Sequence, residues 1–228
     1  MSTKGKTTAE NASSNVSEIL SQSEQFIEKN QKNLLIGVGV IILLVVAILS
    51  YRSFILIPQE QEAEMAIVQG ENYLASEQWE LALNGDSVDY LGFETIIDKY
   101  KYTKTGNVAR AYAGICCYQM SDFDQAKNHL KKFKAGDRMI SPAITGLIGD
   151  CYVDMNETAK GIDYFEKAAK KADNDLLSPV FLKKAGIAYE SLNEYKKAIQ
   201  AYTTIKEKYP NSNEANDIDK YIYRAQLK

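Results

Sequence analysis

A chain of 228 residues holds one ordinary domain and an appendage. Its 27 Lys and Arg against 30 Asp and Glu leave a net charge of -3, which excludes the basic footprint of a nucleic-acid binder. The single histidine, His129, excludes a multi-histidine metal site and reads as a solvated helix residue, and three cysteines without CxxC spacing exclude a disulfide framework and a zinc site.

Four prolines and an abundance of Ala, Lys, Glu and Tyr favour helix throughout. Residues 1–16, MSTKGKTTAENASSNV, are small and polar and read as a disordered tail. SEILSQSEQFIEKNQKN then reads as a short amphipathic helix, with Ile19, Leu20 and Phe26 at lipid headgroups. From Leu34 to Leu49 no residue is polar, and Ser50 and Tyr51 extend the run. Eighteen helical residues cover about 27 Å, close to a bilayer core. Glu10, Glu18, Glu24 and Glu28 precede the run, which is unlike the short basic lead of a cleaved signal peptide, so an uncleaved anchor is expected. Pro58 is expected to end it. Lys29 and Lys32 stand just before the span and Arg52 stands alone just after it, so the positive-inside rule places the N-terminus in the cytoplasm. The predicted organisation is a cytoplasmic tail at 1–32, a transmembrane helix at 33–57 and a repeat domain at 58–228.

The repeat domain shows a period. Gly186, Tyr189, Tyr195, Ala198, Tyr202, Ile205 and Pro210 follow a set at Gly149, Tyr152, Thr158, Gly161, Phe165 and Ala168, 37 residues earlier. Gly114, Cys117, Phe123, Ala126, Leu130 and Phe133 lie 35 residues before those. A stretched copy runs Gly70, Tyr73, Trp79, Ala82, Phe93 and Ile96, with extra residues in LNGDSVDYLG. Small residues at Gly186 and Ala198 allow two helices to approach, and Tyr189, Tyr195 and Tyr202 are expected to plug the spaces around them. SLNEY, MSDF and DMNET are the expected turns. NEANDIDKYIYRAQLK supplies a cap, with Ile218, Ile222 and Leu227 facing inward. Cys116, Cys117 and Cys151 are expected as free thiols, because helices packed side by side keep their axes about 8–10 Å apart.

This spacing resembles the tetratricopeptide repeat. The resemblance implies an all-α helical-hairpin solenoid of about four repeats plus a C-terminal capping helix, preceded by a single transmembrane helix. It also implies a concave face lined by the first helix of each pair. The lining candidates are Tyr112, Ile115, Tyr118 and Gln119, then Leu147, Asp150 and Asp154, then Lys183, Lys184 and Ile187. Ile115 and Leu147 are equally candidates for the intra-repeat core. Tyr112 and Tyr118 fall outside the assigned core positions and are the candidate aromatic anchors. Some members of the family clamp a chaperone's terminal carboxylate with a Lys and an Asn. Here Lys183 stands three before Gly186, but Ile187 takes the position of the Asn, which weakens that implication.

A short tail, one span and a repeat domain resemble the YfgM-type ancillary subunit of the bacterial Sec translocon. YLGFETIIDKYKYTKTGNVARAYAGICCY, Tyr90 to Tyr118, resembles the junction of envelope repeat proteins. The implied setting is the bacterial inner membrane with periplasmic repeats. The implied partners are Sec translocon subunits, periplasmic chaperones or secreted chains, with a scaffold for envelope assembly or cell division as the alternative. Phosphate loop, GxSxG and HExxH motifs are missing, so no catalysis, cofactor, metal or small-molecule substrate is expected. Asp150 and Asp154 read as a solvated acidic face, and KNHLKKFK, Lys127 to Lys134, as a solvated basic one.

Overall fold

The computed structural model describes the backbone of residues 6–86 and 88–228, with side chains from residue 29 onward. Regular structure among the described residues is helical. The chain divides into two compact units, Met1–Ile57 and Pro58–Lys228.

In the first unit, helix α1 covers Lys6–Tyr51 and a π-helical turn follows at Arg52–Leu56. Helix α1 thus begins within the stretch read as a disordered tail; residues 1–5, and the side chains of Ile19, Leu20 and Phe26, lie outside the described residues. Within Lys29–Ala75 an 18-residue window has a mean hydropathy of 2.9 and none of it is buried, so this helix is long and apolar enough to cross a membrane. Pro58 does not end the helix. The amide of Ile57 reaches back five residues to the carbonyl of Arg52. A widened turn of this kind makes room for a proline ring that would otherwise strike the preceding turn.

The second unit is a tetratricopeptide-type solenoid. It comprises α2 (Ile57–Ala75), α3 (Trp79–Asn84), α4 (Gly92–Lys99), α5 (Lys104–Gln119), α6 (Phe123–Lys132), α7 (Ile140–Asp154), α8 (Thr158–Ala172), α9 (Ser178–Ser191) and α10 (Tyr195–Lys208). A 3-10 turn at Asn213–Asp217 and α11 (Ile218–Gln226) complete it. From α3 onward the helices pack on their neighbours in sequence, the contact pattern of a stacked repeat. The hairpins are α2 with the split pair α3 and α4, then α5/α6, α7/α8 and α9/α10.

One turn closes all four hairpins. Glu77, Ser121, Asn156 and Asn193 adopt φ between 56° and 65°. The amides of the residues after them, Gln78, Asp122, Glu157 and Glu194, donate to the carbonyls of Tyr73, Cys117, Tyr152 and Tyr189 at 2.8–2.9 Å. The left-handed residue itself donates three positions back. This is the Schellman arrangement, which satisfies the orphan carbonyls of the first helix while reversing the chain. The stretched first copy has its second helix broken between Gly85, at φ 92°, and Gly92, at φ 82°. Asp86 closes the break: its carboxylate accepts the amides of Tyr90, Val88 and Asp89 at 2.9–3.0 Å and the hydroxyl of Tyr73 at 2.8 Å. Those donors, the Tyr90 and Val88 amides foremost, hold its carboxyl well below the ordinary range.

Within each hairpin a bulky residue of the second helix sits over a small residue of the first. Leu130 lies over Gly114, Phe165 over Gly149 and Tyr202 over Gly186. A Cβ at Gly186 would stand 2.2 Å from Cε1 of Tyr202, a ring with no exposed surface. Gly149 and Gly161 face each other, each Cβ position lying 3.0–3.1 Å from the other's carbonyl oxygen, so α7 and α8 meet backbone to backbone.

The details correct several expectations. Tyr195 is only half-buried and its hydroxyl donates to Asn193 Oδ1 at 2.7 Å, so it steadies the turn rather than filling the helix interface. Leu227 is 87% exposed because α11 ends at Gln226; Ile218, Ile222 and Ala225 form the inward stripe instead. His129 is not solvated: its side chain is 13% exposed and Nε2 lies 2.9 Å from Glu94 Oε1 on α4. Cys116, Cys117 and Cys151 are free and buried. Burial pushes the thiols of Cys116 and Cys117 up to about 12 and that of Cys151 up to about 11.

Two measurements test this packing. Gly186→Ala should destabilise residues 58–228 by about 1–3 kcal/mol in thermal unfolding, because the Tyr202 ring must move. Helix propensity alone would give a gain of about 1 kcal/mol, so the sign decides which effect governs. Thiol labelling without reductant should count no reactive groups in the native protein at pH 8 and three after denaturation; a count of one after denaturation would mean a disulfide.

Candidate protein-interaction face

The sequence-derived lining residues lie on α5, α7 and α9, the first helices of consecutive hairpins. Their i, i+3, i+4 and i+7 spacing turns one stripe of each helix away from its hairpin partner. Along the stripes Gln119 and Asp154 are exposed, Ile187 is 46% exposed, and Tyr112, Ile115, Tyr118, Leu147, Asp150, Lys183 and Lys184 are half-buried. Leu147 packs against the main core cluster, which decides its double assignment for the core.

The charged and phenolic members of these stripes are paired across helices. The hydroxyl of Tyr118 on α5 donates to Asp154 on α7 at 2.9 Å. Lys184 on α9 donates to both oxygens of Asp150 on α7 at 2.7 and 2.8 Å. Lys183 donates to Asp217 in the cap at 2.7 Å, its ammonium lying 4.5 Å from the Tyr221 ring. At the edges Tyr112 donates to Glu71 of α2 at 3.0 Å, and Arg224 of α11 grips Glu190 of α9 at 2.7 and 2.9 Å. The partners stand 34 to 41 residues apart, about one repeat. They form rungs that tie each first helix to the next.

Asp150 is therefore not part of a solvated acidic face, whereas Asp154 is exposed and is held there by the Tyr118 hydroxyl. Tyr112 and Tyr118 are not free anchors either. Their rings pack on Phe93 and Phe123, with centroids 5.4 and 5.6 Å apart, and belong to the rim of the main core. Burial raises the Asp150 carboxyl above its ordinary value, and the Lys184 ammonium offsets this only in part. Lys183 holds Asp217 below its ordinary value. Burial and then the Asp154 carboxylate push the Tyr118 hydroxyl far up, so it is a permanent donor.

Glu60, near the start of α2, makes a further tie. Its carboxylate accepts the amide of Lys104 at 2.7 Å, and the amide and hydroxyl of Thr105 at 2.9 and 2.7 Å. Burial opposes its ionisation, but these bonds at the N-terminus of α5 outweigh burial and lower its carboxyl. Sequence reasoning missed Glu60, Glu71, Glu190, Asp217 and Arg224. Complementary polar residues one repeat apart are the signal that finds them. No cluster of three or more His, Cys, Asp or Glu able to hold a metal ion occurs among the described residues.

Residues 181–212, the last hairpin, match the tetratricopeptide repeat family model. No curated protein matches the sequence. Among solved structures, one described as the crystal structure of MamA superposes with a TM-score of 0.50 at 19% identity, over 69% of this chain and 92% of that one. The likeness is one of fold.

Removing one member of a rung should expose its energetics. Lys184→Met should destabilise residues 58–228 by about 1–2 kcal/mol at neutral pH, a value reduced from that of a fully buried pair because Lys184 is 41% exposed. The loss depends on ionised Asp150. It should be complete above that group's raised folded-state value and shrink as pH falls through it, as read from paired unfolding curves.

Proposed function

We propose that the chain is a single-pass membrane protein whose repeats bind segments of other proteins. In this reading residues 33–57 span the bacterial inner membrane, 1–32 are cytoplasmic and 58–228 are periplasmic, as the Lys29 and Lys32 bias favours. The observation that carries the binding role is the set of rungs. They hold the first helices in register and leave Ile115 and Ile187 partly open between satisfied polar pairs. A surface with fixed polar spacing and apolar gaps suits an extended segment whose side chains alternate in character. With the anchor, this supports a chaperone-like accessory of the Sec translocon that receives emerging or periplasmic chains. The preformed order of the rungs also favours a second reading, a scaffold for envelope assembly or cell division that holds one folded partner.

A photo-crosslinker at Ile187 in intact membranes separates these. The translocon reading expects many secreted chains together with translocon subunits, whereas a single stoichiometric product supports the scaffold. Crosslinking no stronger than from Glu207, an exposed residue of α10, would refute both.

A further inference from the structure

The basic run Lys127 to Lys134 does more than solvate a helix. Lys127 bonds Asp124 at 2.8 Å, and Lys131 bonds the Tyr152 hydroxyl at 2.6 Å. Lys132 and Lys134 turn elsewhere, into a cleft of about 790 Å³ that they share with Lys101, Lys104 and Arg110. No carboxylate lines this cleft. None of the five cations is among the ion pairs of the described residues, whereas the acids of the rungs are matched. The Glu60 carboxylate attracts Lys104 from outside the cleft lining, but a chain of net charge -3 still gathers five cations without an ion pair at one place.

Large apolar groups stand in the open beside these cations: of the residues lining the cleft, Tyr102 is 69% exposed and Ile140 59%. Exposed aromatic and aliphatic side chains interleaved with lysines have the composition of a membrane-interface contact. Within the second unit, the Glu60 carboxylate of α2 grips the backbone of Lys104 and Thr105 and so fixes one wall of the cleft.

We infer that this cleft docks on anionic phospholipid headgroups at the surface from which the repeat domain emerges, the cations meeting phosphates and Tyr102 and Ile140 entering the interface. The inference rests on the reading that residues 33–57 span the membrane. An acidic protein segment would match the charge, but the exposed aromatic and aliphatic side chains interleaved with the lysines favour lipid.

The test uses the full chain with Gly136→Cys, in the loop between Lys134 and Ile140, where an added Cβ meets nothing within 4 Å. The native thiols are buried, so a fluorophore labels this position. The protein is reconstituted in phosphatidylcholine vesicles with and without phosphatidylglycerol, each carrying a headgroup quencher. Quenching should be strong with phosphatidylglycerol, weak without it, and relieved by high salt. Lys132→Gln with Lys134→Gln should lower the docked-to-undocked ratio by about thirty-fold. Quenching indifferent to lipid charge, salt and the lysine pair would overturn the inference. So would protection of those lysines from amine labelling by polyglutamate but not by phosphatidylglycerol vesicles, which would make the occupant an acidic protein. Carbonate extraction separates the two levels. A protein that resists extraction but shows no quenching loses only the headgroup contact, whereas an extractable one loses the spanning reading itself.

Discussion

The solenoid depends on one contact made in every hairpin, a bulky side chain of the second helix seated where the first helix has none. Tyr202 over Gly186, Phe165 over Gly149 and Leu130 over Gly114 fix both the separation and the rotation of the two helices. Rotation matters as much as distance. It decides which stripe of α5, α7 and α9 looks outward, and so brings Asp150 to Lys184 and Tyr118 to Asp154. The shared Schellman turn supports this from the other end, because the carbonyl it captures belongs to the third residue after the small one.

What was legible in the sequence follows from the range of the interactions involved. The hairpins repeat a local pattern of small and large residues, and each turn is written in about five consecutive residues, so the architecture and the turns could be read directly. The rungs could not. Lys184 finds Asp150 only after a whole helix, α8, has been placed between their two helices, and nothing near Lys184 signals a partner. The ring packing of Tyr112 and Tyr118 is hidden from the sequence for the same reason: their spacing places them on the outward stripe, but their rings reach sideways onto Phe93 and Phe123. Leu227 was misplaced by extending a stripe past the point where α11 ends. His129 was read as solvated because its partner, Glu94, lies on the split helix of the irregular first copy.

The polar groups of the second unit fall into two populations. Those of the first-helix stripes are matched pairwise, and each pair is worth little where water reaches it. Their effect is more on geometry than on stability, since they select one register of neighbouring helices among several that the apolar core would tolerate. The cations at the start of α5 and the end of α6 form no ion pairs, and their mutual repulsion, eased at Lys104 by Glu60, is a standing cost to the isolated fold. The structure therefore holds its own order on one surface and leaves an electrostatic demand on another.

Because successive rungs differ in chemistry, the repeats are not interchangeable parts. A phenol meets a carboxylate between α5 and α7, a carboxylate meets an ammonium between α7 and α9, and an ammonium meets a carboxylate between α9 and the cap. If the gene duplicated the α7/α8 hairpin in tandem, the first Asp150 would face the copied Leu147, which by the 37-residue offset from Gly149 to Gly186 stands where Lys184 stands now. Such an array would be longer but would leave a half-buried carboxylate without its ammonium at the new seam, a mismatch that costs stability at the added junction. Repeat proteins commonly grow by copying a unit. This one has the grammar of a sentence in which each word agrees only with its neighbours, and lengthening it would require rewriting both sides of the insertion.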